Sequence, residues 1–348
     1  VYKRQGAGGT LGHPGGPSSP VTSASLNSAN EGIIDPATVT FRTPPSLGPG
    51  NIDRLDHTNP FYVRIVLVER LKAGLALSKS ATDVVVKFRS TPVYTLARPT
   101  DITLFEEQNK FVLGAADLRA ERVSEIVLQQ GDIMSFLTTT ERLHDVSHRW
   151  TLEVLRSVQD AATIVHSQLK HEMTTPRPVQ FCPEVAPIIQ TPQHSSLPSG
   201  HSVETSAVAY VLSRIAGQDD PTALSLANYM MRTAARISLN RTVAGVHFPF
   251  ESMAGFLLGV TLGQIFWRRL SGEGTTSGGG TITAHHFEVT PDDMATVDFN
   301  LKAFTDVRAD VLANTPPGWL AATEMAALPG STPRELSFAL RKASDEWT

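Results

Sequence analysis

The stretch TERLHDVSHRWTLEVLRSVQDAATIVHSQLK, Thr140 to Lys170, keeps apolar residues three and four apart for many turns. That spacing predicts one long amphipathic helix with Lys170 at its end. The next residues, KHEMTTPRP, place Arg177 seven positions after Lys170, and Pro176 and Pro178 end helical structure between the two cations. Two permanent charges held at a helix end can pinch one anion. Val179 to Ser196 then reads as a proline-punctuated loop, and a new helix is expected to begin near His201.

Two further blocks follow. Pro198-Ser199-Gly200-His201 sets a hydroxyl and a glycine just before that helix, whose first turn offers free backbone N–H groups and the positive dipole end. Gly200 lets the backbone approach a ligand that a side chain would hold off. Arg241-Thr-Val-Ala-Gly-Val-His247-Phe-Pro-Phe-Glu251 adds a third cation, a second histidine and a carboxylate one turn beyond it. A carboxylate on one ring nitrogen fixes the tautomer and makes the other a better nucleophile or metal ligand, so His247 is the candidate to bond a central atom.

Outward from these blocks, helical spacing continues over Thr222 to Leu239 and Pro249 to Leu270, and upstream over Ile102 to Asp117 and Ala120 to Gln130. The segment VRIVLVERL reads as helix, and Val84 to Phe88 as a strand. The fold expected is mostly α, a helical bundle with a flexible N-terminal arm. Residues 1–55, rich in Gly, Pro, Ser, Thr and Asn, form the arm, and 56–270 the helical domain. The Gly-rich run within 271–282 is a linker, and 283–348 is a C-terminal extension to which the sequence gives no role.

With 348 residues, 41% of them hydrophobic, the chain can bury a large core. A net charge of −4 gives no general attraction to nucleic acid or an anionic membrane, so an anion site has to be local. The single cysteine, Cys182, excludes an internal disulfide. Ser252 to Trp267, the longest apolar run, is shorter than a membrane span and broken by Gly255, Gly259, Gly263 and Gln264, so a buried helix is expected and no integral membrane segment. The chain opens VYKRQ without a methionine, so the true amino terminus is expected upstream, where a signal peptide could sit. The compartment stays open between periplasmic or secreted and cytoplasmic, for a soluble protein.

The three blocks resemble the signature of the vanadium haloperoxidases and type 2 phosphatidic acid phosphatases, K-x6-RP, PSGH and SR-x5-H-x3-D. The resemblance covers Lys170 to Glu251, with Asn240 where the family usually has Ser and Glu251 where it usually has Asp. It implies a helical bundle of the haloperoxidase and acid phosphatase type. Lys170, Arg177, Ser199, Gly200 and Arg241 would hold the equatorial oxygens of phosphate or vanadate. His247, oriented by Glu251, would bond phosphorus or vanadium, and His201 would act on the apical oxygen as acid or base.

His194, seven residues before His201, is similar to a second histidine at that offset in the family's bromoperoxidases. The first expectation is therefore a haloperoxidase-like enzyme using vanadate as cofactor to oxidise halide with hydrogen peroxide. The alternative is a soluble acid phosphatase that needs no cofactor and passes phosphomonoesters through a phosphohistidine. A third reading, from outside enzymology, is a non-catalytic oxyanion-binding protein. Oligomeric state and substrate specificity are not encoded in any of these patterns.

Overall fold

The computed structural model describes residues 28, 48, 50–219, 224–273, 284–313, 315–325 and 332–348. The chain divides into Val1–Asn51 and Ile52–Thr348, and the architecture below is that of the second unit. Nearly all of the expected N-terminal arm, and most of the expected Gly-rich linker, lie outside the described residues. The arm as drawn to residue 55 runs too far, because Ile52–His57 forms a 3-10 turn whose Ile52 and Leu55 pack on the core.

The expected mostly α fold is found, and a five-stranded sheet accompanies it. The helices are α1 (Pro60–Lys72), α2 (Ile102–Ala115), α3 (Arg119–Leu128), α4 (Met134–Thr138), α5 (Arg149–Met173), α6 (Pro178–Phe181) and α7 (Gly200–Ile215). They continue with α8 (Tyr229–Val243), α9 (Pro249–Ser271), α10 (Leu301–Leu312) and α11 (Arg334–Asp345). Strands β1 (Leu75–Lys79), β2 (Asp83–Phe88) and β3 (Thr91–Ala97) form an antiparallel meander. β4 (Ala284–Val289) joins β3 in parallel, with Tyr94 opposite Phe287, and β5 (Leu320–Met325) closes the sheet antiparallel to β4. The sequence announced only β2, whose Val-Val-Val run alternates toward the core, whereas β1 has no fully buried position and β3 opens on exposed Thr91 and Pro92 without alternating.

α9 is the centre of the bundle. Its Gly255, Gly259 and Gly263, one turn apart, face α7 so closely that a Cβ at 259 would stand 1.9 Å from Ser206 Oγ and 2.3 Å from the Val203 carbonyl oxygen. The glycines that broke the apolar run are thus the surface on which α7 lies. The expectation that this segment is too short to span a membrane is corrected: the helix runs for 23 residues and is long and apolar enough by length and composition. In this fold its apolar stretch is wholly buried by protein, and Tyr94 Oη donates to the Ala254 carbonyl at 2.8 Å to tie it to the sheet.

The long helix starts later than its periodicity suggested. Arg142 adopts a left-handed φ of 53°, the chain is irregular to His148, and α5 begins at Arg149. No local side chain caps it. Instead Glu346, just past α11, accepts from Trp150 N at 2.7 Å and Thr151 N at 2.8 Å, placing a carboxylate on the positive helix end. The stretch read as an extension therefore caps α5 and supplies β4 and β5.

Candidate oxyanion site

Four elements converge to build the site: the C-terminal turn of α5, the loop ahead of α7 with the α7 start, the C-terminal end of α8, and the α9 start. Lys170 is buried in the last turn of α5, where Nζ donates to the carbonyls of Ser195 at 3.0 Å and Ser196 at 2.7 Å. Those bonds fasten the proline-rich loop to the helix end. Arg177, also buried, donates from Nη1 to the Val246 carbonyl at 2.8 Å and to His247 Nε2 at 3.0 Å.

The Arg177 contact fixes the tautomer of His247. A guanidinium can only donate, so Nε2 carries the lone pair and Nδ1 carries the hydrogen. Nδ1 donates to Glu251 Oε2 at 2.7 Å, and that oxygen also accepts from Ser196 Oγ at 2.6 Å and Phe248 N at 3.1 Å. The longer glutamate arm thus reaches the histidine. Glu251 is fully buried one turn beyond His247, so the i, i+4 spacing at the start of α9 sets the pair.

Burial, then the charges of Arg177 and Lys170, holds the His247 imidazolium pKa well below its ordinary value. Burial together with Arg177 pushes the Lys170 ammonium down, and burial pushes the Glu251 carboxyl up. Burial is the first cause of all three shifts; crowded positive charge adds to it at Lys170 and His247, whereas the same cations pull Glu251 back toward its ordinary range. A bound oxyanion would offset that crowding. Two donors are aimed at no protein acceptor: Ser199 Oγ, just before the α7 start, and Arg241 Nε, both buried. Buried donors of this kind carry a desolvation cost that a ligand oxygen would relieve.

Arg241 closes α8 and donates from Nη2 to Gln129 Oε1 at 3.0 Å and to the Ile126 carbonyl at 3.3 Å. Burial lowers its pKa to about 10, which leaves it cationic near neutral pH. His201, in the first turn of α7, donates from Nε2 to the Gln129 carbonyl at 2.9 Å. Burial, then the charge of Arg241, brings its pKa down to about 4, so the ring is neutral at ordinary pH. His194 is exposed at the rim, with its Nδ1 3.0 Å from the Ser195 carbonyl and 3.2 Å from Arg177 Nη2. Asn240 is buried beside Arg241, with Nδ2 donating to Glu125 Oε1 at 2.9 Å and Gln129 Oε1 at 3.0 Å.

The structure gathers Lys170, Arg177, Arg241, Ser199, Gly200, His201, His247 and Glu251 around one space and leaves His194 at its edge. Sequence reasoning missed Gln129 and Ser196. Gln129 lies just past α3, more than a hundred residues from Arg241, and no local pattern marks it. An open cleft of about 420 Å³, lined in part by Arg122, Tyr229, Arg232 and Arg236, shares no residue with this site.

The profile of the PAP2 superfamily matches residues 158–273, the segment that holds α5 from Val158 onward through α9. The chain thus contains a domain of the PAP2 and haloperoxidase superfamily. It is also similar to decaprenylphosphoryl-5-phosphoribose phosphatase of Mycobacterium tuberculosis, in strains CDC 1551 / Oshkosh and ATCC 25618 / H37Rv. The identity is 32% over 83 residues, which is 24% of this chain and 42% of that protein's length. The chain therefore spans less than half of the curated relatives it matches.

Proposed function

We propose that this chain is a phosphatase of the PAP2 superfamily that hydrolyses a phosphoester through a phosphohistidine on His247. The observation that carries the proposal is the buried His247–Glu251 pair at 2.7 Å with Nε2 turned toward Arg177. A neutral imidazole whose far nitrogen is bonded to a carboxylate is an activated nucleophile. Lys170, Arg177 and Arg241, with Ser199 Oγ and the Gly200 N–H, would hold the phosphoryl oxygens and oppose the charge that grows on them. Arg177 gives up its bond to Nε2 as it takes a phosphoryl oxygen, which frees the lone pair for phosphorus. The P–O bond to the leaving group breaks as the N–P bond forms, and Glu251 balances the charge that appears on the ring. His201 would protonate the leaving oxygen; water then attacks phosphorus, and the N–P bond breaks with its electron pair returning to Nε2 as phosphate is released. The similarity to a phosphatase supports this reading over the haloperoxidase expected first.

The haloperoxidase reading keeps one specific support, His194 against Arg177 at the rim. The two unpartnered donors and three cations suit vanadate as they suit phosphate. Lys170, Arg177, Ser199 and Arg241 would hold it and His247 would bond it. When bound, vanadate supplies activation of peroxide toward halide.

One paired assay tests both readings: hydrolysis of p-nitrophenyl phosphate without vanadate, and dye bromination with vanadate and peroxide. Hydrolysis that vanadate inhibits and that His247→Ala abolishes is the expected result. Vanadate-dependent bromination without hydrolysis overturns it, and neither activity, with inorganic phosphate still bound, leaves an oxyanion-binding protein.

A further inference from the structure

Away from the oxyanion site, residues of α3, α8 and the start of α10 line the open cleft of about 420 Å³. Arg232 and Arg236 reach it from successive turns of α8 and Arg122 from α3. Asn300 and Leu301 bring the positive end of α10 to its border. A second hollow of about 360 Å³ adjoins it, for Arg232 and Leu301 line both, and there Leu226 joins them. Each hollow has the size of a small-molecule site.

The charges there do not cancel. Arg236 is paired: its Nε lies 3.0 Å from both oxygens of Glu125, and its Nη2 2.8 Å from Oε2. Arg122 donates from Nη1 only to the neutral amide oxygen of Asn240, at 3.1 Å. Burial, then the charge of Arg236, lowers its pKa, against the pull of Glu125 and Glu121. Arg232 has no hydrogen bond or ion pair among the described residues, and its guanidinium carbon stands 6.0 Å from the centre of the Tyr229 ring. Three cations therefore meet one carboxylate that is already spent on Arg236. The bonds to Glu125 and Asn240 hold two of the three guanidiniums in place before a ligand arrives.

We propose that this cleft is a second anion site, separate from the oxyanion site, for a small organic anion that joins a phosphate-type group to an apolar or aromatic body. A guanidinium presents paired donors that match two oxygens of such a group, and Arg122 and Arg232 each have donors to give. Arg236 adds charge without leaving Glu125. The body is called for by the rest of the lining, because Tyr229 is 68% and Leu226 47% exposed and a bare inorganic anion would cover neither. An aromatic ring over Tyr229, or an apolar group against Leu226 and Leu301, removes that surface from water. Among the described residues the lining holds no histidine, cysteine or carboxylate, so the cleft binds its ligand without turning it over. The proposal goes beyond the phosphatase reading and does not depend on it.

The probe is phenylphosphonate, whose C–P bond resists phosphatases, with methylphosphonate as the same head group lacking the ring. Calorimetric titration of the unaltered protein is expected to show a phenylphosphonate site that Arg232→Glu weakens by about 100-fold or more and Tyr229→Ala by about three- to tenfold. Methylphosphonate should bind that site at least about threefold more weakly. Both altered side chains are exposed, so each variant should melt with the parent. Inhibition of p-nitrophenyl phosphate turnover by inorganic phosphate, which reads the oxyanion site, should be the same in Arg232→Glu. Phenylphosphonate binding that Arg232→Glu leaves intact places the probe in the oxyanion site and overturns the proposal, as does a parent that binds no phenylphosphonate at millimolar concentration. Equal affinity for the two phosphonates overturns the organic body. A protein that binds phenylphosphonate through Arg232 yet hydrolyses no ester upholds this site while the phosphatase reading fails.

Discussion

Arg241 Nη2 and Gln129 Oε1 meet at 3.0 Å, and the same amide oxygen accepts from Asn240 Nδ2 at 3.0 Å. One buried glutamine therefore aims a cation of the candidate site from a helix far away in sequence, while its backbone carbonyl holds His201. Replacing Gln129 by Leu keeps the volume and leaves a buried guanidinium short of an acceptor. We expect a stability loss of about 1–3 kcal/mol and a fall of roughly tenfold in kcat/KM from the misaimed guanidinium. Thermal melts and steady-state kinetics measure both, and an unchanged kcat/KM would show that Arg241 needs no such support.

Glu251 distinguishes this site from the family pattern, and its three contacts through Oε2 depend on the arm length. Glu251→Asp draws that oxygen back by one methylene, and kcat is expected to drop on the order of 10- to 100-fold, the usual effect of losing an orienting carboxylate. Glu251→Gln keeps the reach and removes the charge that balances the ring, so its loss should be larger, up to about 10⁴-fold. A Glu251→Asp enzyme as fast as the parent would mean that His247 is oriented by something else.

Acid should unfold this protein from the inside. His201 has its pKa lowered to about 4, by burial first and then Arg241, from an unfolded value of 6.5. Its neutral form is the one that fits the fold, so the contribution is complete above pH 6.5 and is lost as pH falls toward 4. At full extent it amounts to roughly 3 kcal/mol, and His247 acts in the same direction. The melting temperature is expected to fall steadily across that window, and less steeply in His201→Gln. Parallel slopes for the two proteins would remove His201 from the account.

Gly259 tests the contact on which the bundle closes. With Ser206 Oγ 1.9 Å and the Val203 carbonyl 2.3 Å from the place a methyl would take, Gly259→Ala must part α9 from α7 or displace Ser206. The cost of such overpacking is about 1–3 kcal/mol, a drop of several degrees by circular dichroism. Because α7 and α9 each carry part of the site, phosphate binding should weaken with it. A variant with parent stability would show that the helices adjust freely.

Much of the site was legible in the chain because its chemistry is packed into short segments. Lys170 and Arg177, the Ser199-Gly200-His201 turn, and His247 with Glu251 each lie within about two helical turns. Over such distances helix geometry and capping rules fix which residues meet. Gln129 and Ser196 were not legible, since each meets its partner from another element.

The sequence alone determined the mostly helical character, the buried central helix and the oxyanion-binding blocks, because hydrophobic periodicity and local backbone chemistry act within a few residues. Only the tertiary structure decided where α5 begins, that residues after 283 complete the sheet, and how the cations are aimed. Those outcomes depend on contacts such as Glu346 with Trp150, β3 with β4, and Gln129 with Arg241. Each joins residues more than a hundred positions apart. Packing selects such partners from many chemically equivalent ones, and a one-dimensional pattern does not carry that choice.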